Sequence, residues 1–177
     1  EELGYRSVGL DHFAKPDDAL CQALDAGQLR RNFQGYTTDA ARTLIGLGAS
    51  SIGELPKGYV QNAAPMKDYV DAVAAGRPPT KRGIALTATD RLRRSIIERL
   101  MCDLSVDLDA LCAESGDDAA RLDPAVETLA PLAGTGVIAV DGRRIAVTEQ
   151  GRPFVRVVAA AFDTYLGTGT AGHSLAV

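Results

Sequence analysis

The sequence is short of the residues that build membrane spans, disulfide frameworks and metal centres. Its 177 residues include no tryptophan, three cysteines and two histidines. No apolar run approaches the roughly 20 residues that a membrane helix needs, so no membrane partner is predicted. The cysteines, Cys21, Cys102 and Cys112, are odd in number and widely spaced. This pattern argues against a disulfide framework and favours a reducing, cytoplasmic compartment.

The charge balance disfavours a protein whose main task is to hold nucleic acid. The chain has 19 Lys and Arg against 23 Asp and Glu, which gives a net charge of -4. Nucleic-acid binding draws its affinity from neutralising phosphates with Lys and Arg. We therefore predict no nucleic-acid partner. The hydrophobic share of 46% and the charged share of 24% are those of an ordinary globular protein.

The first 76 residues have the pattern of an α/β segment. Strands are predicted near residues 6–10 and 44–52, a strand or turn near residues 33–38, and helices near residues 16–27 and 65–76. The run at 44–52 is apolar and punctuated by glycines, which is typical of a strand buried on both faces. Pro78 and Pro79 follow the second helix and forbid its continuation, so a linker is predicted at residues 77–81.

Residues 82–166 have the pattern of a mainly α segment. Thr87 and Asp90 have the spacing of a capping box, which predicts the start of a helix. Further helices are predicted near 108–114, 126–134 and 149–166, with a hairpin at 137–147 closed by Asp141-Gly142. This order is typical of a winged-helix unit. The tail at 167–177 is rich in Gly, Thr and Ala, and we predict that it is flexible.

Four short blocks occur along the chain in a fixed order. They are Gly-Leu-Asp-His-Phe-Ala at 9–14, Arg-Asn-Phe-Gln-Gly-Tyr-Thr-Thr at 31–38, Gly-Leu-Gly-Ala-Ser-Ser-Ile at 46–52 and Arg-Gly-Ile-Ala-Leu-Thr at 82–87. Together they resemble the oxygen-independent coproporphyrinogen III oxidases, which are radical S-adenosylmethionine enzymes of haem biosynthesis. The resemblance runs from about residue 3 to residue 166.

The resemblance implies a fold and a place in a larger enzyme. Residues 1–76 would supply the C-terminal strands and helices of a partial (β/α) radical S-adenosylmethionine barrel, and residues 82–166 would form a winged-helix-like C-terminal domain. The chain would be the C-terminal portion of the enzyme, and the N-terminal part of the same enzyme would be its partner. An electron donor of unknown identity would be a second partner.

The resemblance also implies a reaction. A [4Fe-4S] cluster on a loop with three closely spaced cysteines cleaves S-adenosylmethionine to a radical, and two propionates of coproporphyrinogen III become vinyl groups, which gives protoporphyrinogen IX. The cysteines of this chain are too far apart to form that loop. We therefore expect the cluster ligands to lie outside the chain, and the chain alone to be inactive.

The residues that match the family's contacts to a second S-adenosylmethionine are Phe33, Gln34 and Ile52. An aromatic ring packs on a flat or cationic group, and an amide both donates and accepts hydrogen bonds. Without the resemblance, Phe33 and Gln34 would be interpreted as a buried aromatic and a turn-capping amide. Ile52 would be a core residue.

Five further residues are candidates for binding the tetrapyrrole. Arg30, Arg31 and Arg82 would pair with propionates, because guanidinium groups bind carboxylates with two parallel hydrogen bonds. The alternative is that each arginine lies on a solvated surface. Asp11 and His12 follow a predicted strand, where α/β proteins place functional groups. The alternative for them is a structural ion pair.

Two other functions compete with this interpretation. A haem-carrying paralogue of the same family would have a Tyr-Trp pair where this chain has Phe33-Gln34, and the chain contains no tryptophan. A winged-helix DNA-binding module would use residues 122–133 as its recognition helix. That segment carries Asp123 and Glu127, whose charges repel phosphate.

Overall fold

The computed structural model describes residues 3–166, which form a mixed α/β structure. The strands in this range are β1 (Arg6–Val8), β2 (His12–Ala14), β3 (Arg30–Asn32), β4 (Gly35–Thr37), β5 (Ile52–Leu55), β6 (Gly58–Asn62), β7 (Thr80–Ala85), β8 (Ser105–Asp107), β9 (Ile138–Asp141) and β10 (Arg144–Val147). The helices are α1 (Ala19–Asp25), α2 (Met66–Ala74), α3 (Ala88–Asp103), α4 (Leu108–Ser115), α5 (Asp123–Thr128), α6 (Ala130–Gly134) and α7 (Val155–Ala160). Short 3-10 helices cover Ala119–Leu122 and Arg152–Phe154.

The strands form four small sheets. β1 pairs with β2, β3 pairs with β4, and two three-stranded sheets have the orders β5-β6-β7 and β8-β10-β9. Every strand pair within residues 3–166 is antiparallel, and these residues contain no closed barrel. The strands of the first segment in the described part of the chain are therefore paired as antiparallel neighbours. Short hairpin connections, such as Phe33–Gln34 between β3 and β4, allow antiparallel pairing without crossover helices.

The chain divides into two compact units. The smaller unit is residues 39–90, and the larger unit comprises the segments up to residue 38 and from residue 91 onward. This division differs from the predicted one at 77–81. Thr80 and Lys81 of the predicted linker belong to β7, which is hydrogen-bonded to β6. The predicted flexible tail, 167–177, lies outside the described residues.

The larger unit contains both buried apolar clusters of the described chain. One surrounds α3, α7 and the β8-β10-β9 sheet. Its fully buried side chains include Ile96, Leu100, Leu108, Ile145 and Phe162. The other lies under the two N-terminal hairpins and α1, and its largest members are Val8, Leu29 and Tyr36. Burial of apolar surface on this scale is the main stabilising contribution to folding.

Several local predictions for residues 82–166 are confirmed. Asp90 accepts hydrogen bonds from the Thr87 N–H and hydroxyl at 2.8 Å, and the Asp90 N–H donates to Thr87 Oγ1 at 3.1 Å. This is the predicted capping box of α3. The hairpin β9–β10 closes at Gly142 as predicted. β8, which was not predicted, adds a third strand to it.

Three predicted elements are shorter than expected or displaced. The last helix is limited to Val155–Ala160, because a 3-10 helix containing Pro153 precedes it. The predicted helix at 126–134 is divided into α5 and α6. The helix predicted from Pro16 begins after Asp18, whose carboxylate accepts a hydrogen bond from the Leu20 N–H at 2.8 Å.

The buried strand predicted at 44–52 is wrong. These residues form a loop, and β5 begins only at Ile52. Ile45 is 65% exposed and Leu47 is 83% exposed. Gly48, with φ +101°, and Ser50, with φ +60°, turn the chain out of an extended conformation.

Candidate functional site

The turn between β3 and β4 carries Phe33 and Gln34 at the surface of the larger unit. Asn32 orders this turn, since its side-chain oxygen accepts a hydrogen bond from the Gln34 N–H at 2.8 Å. The Phe33 ring is 51% exposed. The Gln34 side-chain amide makes no hydrogen bond within residues 3–166. The turn therefore presents an aromatic ring and an amide to solvent from an ordered backbone.

Tyr36 fixes this turn to the body of the larger unit. Its ring is buried, and its hydroxyl donates to the Met101 carbonyl at 2.9 Å and accepts from the Leu10 N–H at 2.9 Å. Burial raises the pKa of the Tyr36 hydroxyl, so it stays protonated as a donor. A side chain at Gly9, where φ is +60°, would overlap with the Tyr36 ring. Only glycine allows this close approach of the β1–β2 turn.

Asp11 and His12 lie at the β1–β2 turn, on the same side of the larger unit as Tyr36. His12 Nδ1 and Asp11 Oδ1 are 2.9 Å apart, and the His12 ring meets the Tyr36 ring edge-on at 5.0 Å. The hydrogen bond from His12 is the main cause that lowers the pKa of Asp11. The pair follows β1, which forms an antiparallel hairpin with β2.

Arg30 and Arg31 lie on β3 and both approach Glu98 of α3. The Arg30 guanidinium is 3.8 Å from the Glu98 carboxylate, and the Arg31 N–H donates to Glu98 Oε1 at 3.3 Å. The Arg31 guanidinium lies 5.7 Å from the centre of the Tyr36 ring. Arg31 Nε is buried and has no hydrogen-bond partner among the described residues. Arg31 is thus part of the cluster around Tyr36, whereas Arg30 is a surface residue.

Ile52 and Arg82 occupy one row of the three-stranded sheet in the smaller unit. Gln61 of β6 pairs with Ile52 of β5 on one side and with Arg82 of β7 on the other. Arg82 Nε donates to Gln61 Oε1 at 2.7 Å, which holds the guanidinium along the row. Opposed residues of antiparallel strands share a sheet face, so these three side chains lie on one face.

The loop that precedes Ile52 is held by Asn62, which the sequence reasoning missed. Asn62 is buried and its amide donates to the carbonyls of Gly46 at 2.9 Å and Gly48 at 3.0 Å. A Cβ added at Gly46 would lie 2.9 Å from the Ile52 carbonyl carbon and oxygen. The backbone of the loop therefore lies against the backbone of Ile52. The half-buried side chain of Ile52 is the part of this residue that remains for contact with a ligand.

The sequence reasoning also missed Tyr36 and Arg156 of the larger unit. Tyr36 lies in the 31–38 block, but only the fold shows that its hydroxyl joins Leu10 to Met101. Arg156 lies on α7, and its guanidinium is 3.8 Å from Asp11 Oδ2. No signal in the sequence relates two residues so far apart along the chain.

The three cysteines do not form a metal site. Cys21, Cys102 and Cys112 are free and buried, and they lie on α1, α3 and α4. Burial raises the pKa of the Cys102 thiol to about 12 and also raises the pKa of Cys112, so both thiols are protonated at neutral pH. Within residues 3–166, no group of three His, Cys, Asp or Glu side chains is arranged to hold a metal ion.

A cavity of about 510 Å³ lies elsewhere in the larger unit, between α3, α4 and the β8-β10 pair. Its arginines are both paired with aspartates, Arg99 with Asp103 and Arg144 with Asp107. It is lined by none of the predicted site residues. In the described part of the chain, no helix has both the length and the apolar character needed to cross a membrane.

Comparison with known proteins identifies the family to which these features belong. The model of the HemN C-terminal domain matches residues 86–154. Residues 86–154 therefore resemble the HemN C-terminal domain. The predicted resemblance to the oxygen-independent coproporphyrinogen III oxidases is thereby confirmed.

The similarity extends beyond the HemN C-terminal domain to nearly the whole chain. The oxygen-independent coproporphyrinogen III oxidase of Bradyrhizobium diazoefficiens is 49% identical over 177 residues, and that of Paracoccus denitrificans is 44% identical over 174 residues. These matches cover 100% and 98% of this chain, but 39% and 38% of the two relatives. The chain therefore spans about two fifths of their length and corresponds to their C-terminal part.

A solved structure shows the same fold. The coproporphyrinogen III oxidase HemN of Escherichia coli, a radical SAM enzyme, superposes with a TM-score of 0.86 at 39% sequence identity. The superposition covers 93% of this chain and 38% of the Escherichia coli protein. The chain is thus similar to this protein in both sequence and fold.

Proposed function

We propose that this chain acts as the C-terminal part of an oxygen-independent coproporphyrinogen III oxidase. In that enzyme, two propionates of coproporphyrinogen III are oxidatively decarboxylated to vinyl groups, which gives protoporphyrinogen IX for haem biosynthesis. The observation that carries the proposal is the 49% identity to the Bradyrhizobium diazoefficiens oxidase along the whole of this chain. The N-terminal part of such an enzyme and an electron donor are the partners that this function requires.

The residues predicted to contact S-adenosylmethionine have suitable surroundings. When bound, this cofactor supplies the hydrogen-abstracting chemistry of radical S-adenosylmethionine enzymes. Phe33 offers a half-exposed ring for packing, and the Gln34 amide keeps its donors and acceptor available to a ligand. Ile52 offers an apolar side chain beside a loop that Asn62 orders. We propose Phe33 and Gln34 as cofactor-binding residues of the larger unit and, taken by itself, Ile52 as a cofactor-binding residue of the smaller unit.

The cysteines of this chain are not suited to hold an iron–sulfur cluster. Such clusters are held by cysteine thiolates, whereas Cys102 and Cys112 are buried and have raised pKa values. Cys21 lies on a different helix, α1. We therefore propose that the cluster ligands belong to the N-terminal part of the enzyme, and that this chain contributes to substrate and cofactor binding rather than to radical generation.

We propose finer architectural roles for the two segments on the same basis. The three-stranded sheet β8-β10-β9, with α3 and α4 before the β9–β10 hairpin, supports a winged-helix-like arrangement of residues 82–166. Residues 1–76 would adjoin the barrel of the oxidase. Three reduced, buried thiols agree with a cytoplasmic enzyme.

The test is a segment exchange in a relative. In the swapped enzyme, this chain replaces the corresponding C-terminal part of the Bradyrhizobium diazoefficiens oxidase. The reaction is run under anaerobic conditions with S-adenosylmethionine and a reductant, and the protoporphyrinogen formed is then oxidised with iodine to protoporphyrin and measured by fluorescence. We expect turnover within about tenfold of the unmodified oxidase, since a tenfold loss corresponds to only about 1.4 kcal/mol in activation free energy. A swapped enzyme that folds and keeps its iron but leaves coproporphyrinogen unchanged would contradict the proposal.

The role of Gln34 is tested in the same swapped enzyme. Gln34→Ala should lower the decarboxylation rate and weaken S-adenosylmethionine binding measured by calorimetry, because it removes the amide without disturbing the Asn32 contact to the backbone. The iron content should be unchanged. Gln28→Ala, at an exposed glutamine of the same unit, is the matched control. Unchanged binding and turnover in Gln34→Ala would remove Gln34 from the site.

A further inference from the structure

Arg156 of α7 approaches the Asp11–His12 pair although the chain separates them widely. Its side chain is 48% exposed, and its guanidinium lies 3.8 Å from Asp11 Oδ2, beyond the distance of a direct hydrogen bond. Its neighbours on α7, Val155, Val158 and Ala159, are buried in the core and hold the helix in place. The backbone of Arg156 is thus held in place by the core, while its guanidinium makes no direct hydrogen bond to Asp11.

The neighbouring arginine of this region is occupied, which distinguishes it from Arg156. Arg152 donates to both carboxylate oxygens of Glu149, at 3.2 and 2.9 Å, and to the Gly9 carbonyl at 3.0 Å. These bonds use its Nε and both terminal nitrogens. Arg152 therefore fastens the β1–β2 turn to the C-terminal segment, and Arg156 is the guanidinium left to receive a ligand.

His12 is held in one orientation by its neighbours. Nδ1 is hydrogen-bonded to the Asp11 carboxylate, and the imidazole ring contacts the Tyr36 ring edge-on. The opposite nitrogen, Nε2, lies 3.1 Å from where a Cβ at Gly35 would be. Nε2 therefore faces the β3–β4 turn that carries Phe33 and Gln34. A carboxylate accepts hydrogen bonds only, so Nδ1 is the donor to Asp11.

The charges around this pair favour an anionic ligand. Asp11 contacts His12, and two guanidinium groups, Arg31 and Arg156, add their positive charge to the surroundings of Asp11. Arg31 Nε is buried and has no partner within residues 3–166. A carboxylate placed beside Arg156 would meet two parallel N–H donors, the geometry that guanidinium groups offer to carboxylates.

We propose that Arg156 binds one propionate carboxylate of the tetrapyrrole beside the Asp11–His12 pair. This inference rests on the proposed function, since that function supplies a substrate with several propionates. It adds a named guanidinium donor beside the Asp11–His12 pair, within a single compact unit.

The experiment measures binding rather than turnover. Coproporphyrin III, the stable oxidised form that carries the same propionates, is titrated into the swapped enzyme without S-adenosylmethionine or reductant, and the dissociation constant is read from porphyrin fluorescence. Coproporphyrin tetramethyl ester, solubilised in detergent, is the probe without carboxylates. The variants are Arg156→Gln, Arg156→Lys and, as a matched control, Arg121→Gln, whose side chain is 74% exposed and paired with Asp117.

We expect Arg156→Gln to weaken coproporphyrin III binding about tenfold or more, which corresponds to about 1.4 kcal/mol, and to leave binding of the ester unchanged. Arg156→Lys should restore part of the affinity because it keeps the charge but loses the second donor. Arg121→Gln should bind as the unmodified swapped enzyme does.

Two results would overturn the inference. One is an Arg156→Gln variant that folds and binds coproporphyrin III as tightly as the Arg121→Gln control. The other is equal weakening for coproporphyrin III and its ester, which would show a loss of packing rather than of a carboxylate partner. If either result occurs while the swapped enzyme still forms its product, the carboxylate-binding role is rejected and the proposed function is retained. If the swapped enzyme makes no product, both the proposed function and the carboxylate-binding role that rests on it are rejected.

Discussion

The larger and smaller units are stabilised in different ways, although each contains a three-stranded antiparallel sheet. The larger unit buries two apolar clusters, and side chains such as Ile96, Ile145 and Phe162 are fully inaccessible. Of residues 39–90, all of which the structure describes, Ala63 is the one buried apolar side chain. The smaller unit relies instead on its backbone ladders and on the Asn62 hydrogen bonds.

The difference also appears on the surface of the smaller unit. Its helix α2 has no buried residue, and its strand β7 is exposed along its whole length. The exposed apolar side chains of this unit are Ile45, Leu47, Leu55, Met66, Val70, Val73 and Ile84. Hydrogen bonds in water contribute little net stability, while burial contributes much. The comparison teaches that stability in this chain is concentrated in the larger unit.

The largest effect is expected in the core of the larger unit. Phe162→Ala should lower the free energy of unfolding by about 3–5 kcal/mol, because it leaves a cavity at a fully buried ring. Urea unfolding followed by circular dichroism measures this change. Phe154→Ala, at a ring that is 48% exposed, is the matched control and should cost far less. Equal losses of stability for the two variants would contradict the claim that the buried core stabilises the larger unit.

A smaller, local effect is expected in the smaller unit. Asn62→Ala leaves the carbonyls of Gly46 and Gly48 without their donor, which should cost about 1–3 kcal/mol in the opening of the 44–51 loop. Hydrogen exchange of the amides in that loop measures it. Protection of α3 should be unaffected. An unchanged exchange rate in the loop would show that Asn62 does not order it.

The Asp11–His12 pair should contribute a modest, pH-dependent stability. The His12 hydrogen bond lowers the pKa of Asp11 below its ordinary value of about 3.9. A depressed folded-state pKa stabilises the fold above the unfolded-state pKa, and this contribution is lost as pH falls through the folded-state pKa. Because the pair is largely exposed, Asp11→Asn should cost less than about 1 kcal/mol at neutral pH. Unfolding curves should converge with the wild type in acid; a constant difference would contradict this.

The smallest effect is expected on α2. Val70 is 51% exposed and Val73 is 50% exposed, so Val70→Ser or Val73→Ser should change the free energy of unfolding by no more than about 0.5 kcal/mol. The same urea titration measures both variants. A loss comparable with that of Phe162→Ala would mean that α2 is buried in solution, and the contrast between the two units would have to be revised.

Local sequence signals predicted the elements that depend on neighbouring residues. The Thr87–Asp90 capping box and the turn at Gly142 are formed within a few residues, and both are found as predicted. The run at 44–52 was misassigned because its apolar composition hides the turns at Gly48 and Ser50, and because Asn62, which holds the loop, lies beyond it.

Only those parts of the candidate site that are formed by neighbouring residues could be predicted from the sequence. The resemblance supplied Phe33 and Gln34, and their shared turn follows from their adjacency in the sequence. Arg156 could not be predicted, because only the packing of α7 brings it beside Asp11. Contacts of this kind depend on the tertiary fold and leave no periodic or local pattern in the sequence.

The most direct test of the central claim is the mass of the tetrapyrrole produced by the swapped enzyme. Coproporphyrinogen III is incubated anaerobically with S-adenosylmethionine and a reductant, oxidised, and analysed by mass spectrometry beside the unmodified Bradyrhizobium diazoefficiens oxidase. The account predicts a product that has lost two carboxyl groups as carbon dioxide. Recovery of the intact tetracarboxylate from a folded, iron-loaded swapped enzyme, while the unmodified oxidase converts it, would contradict the account.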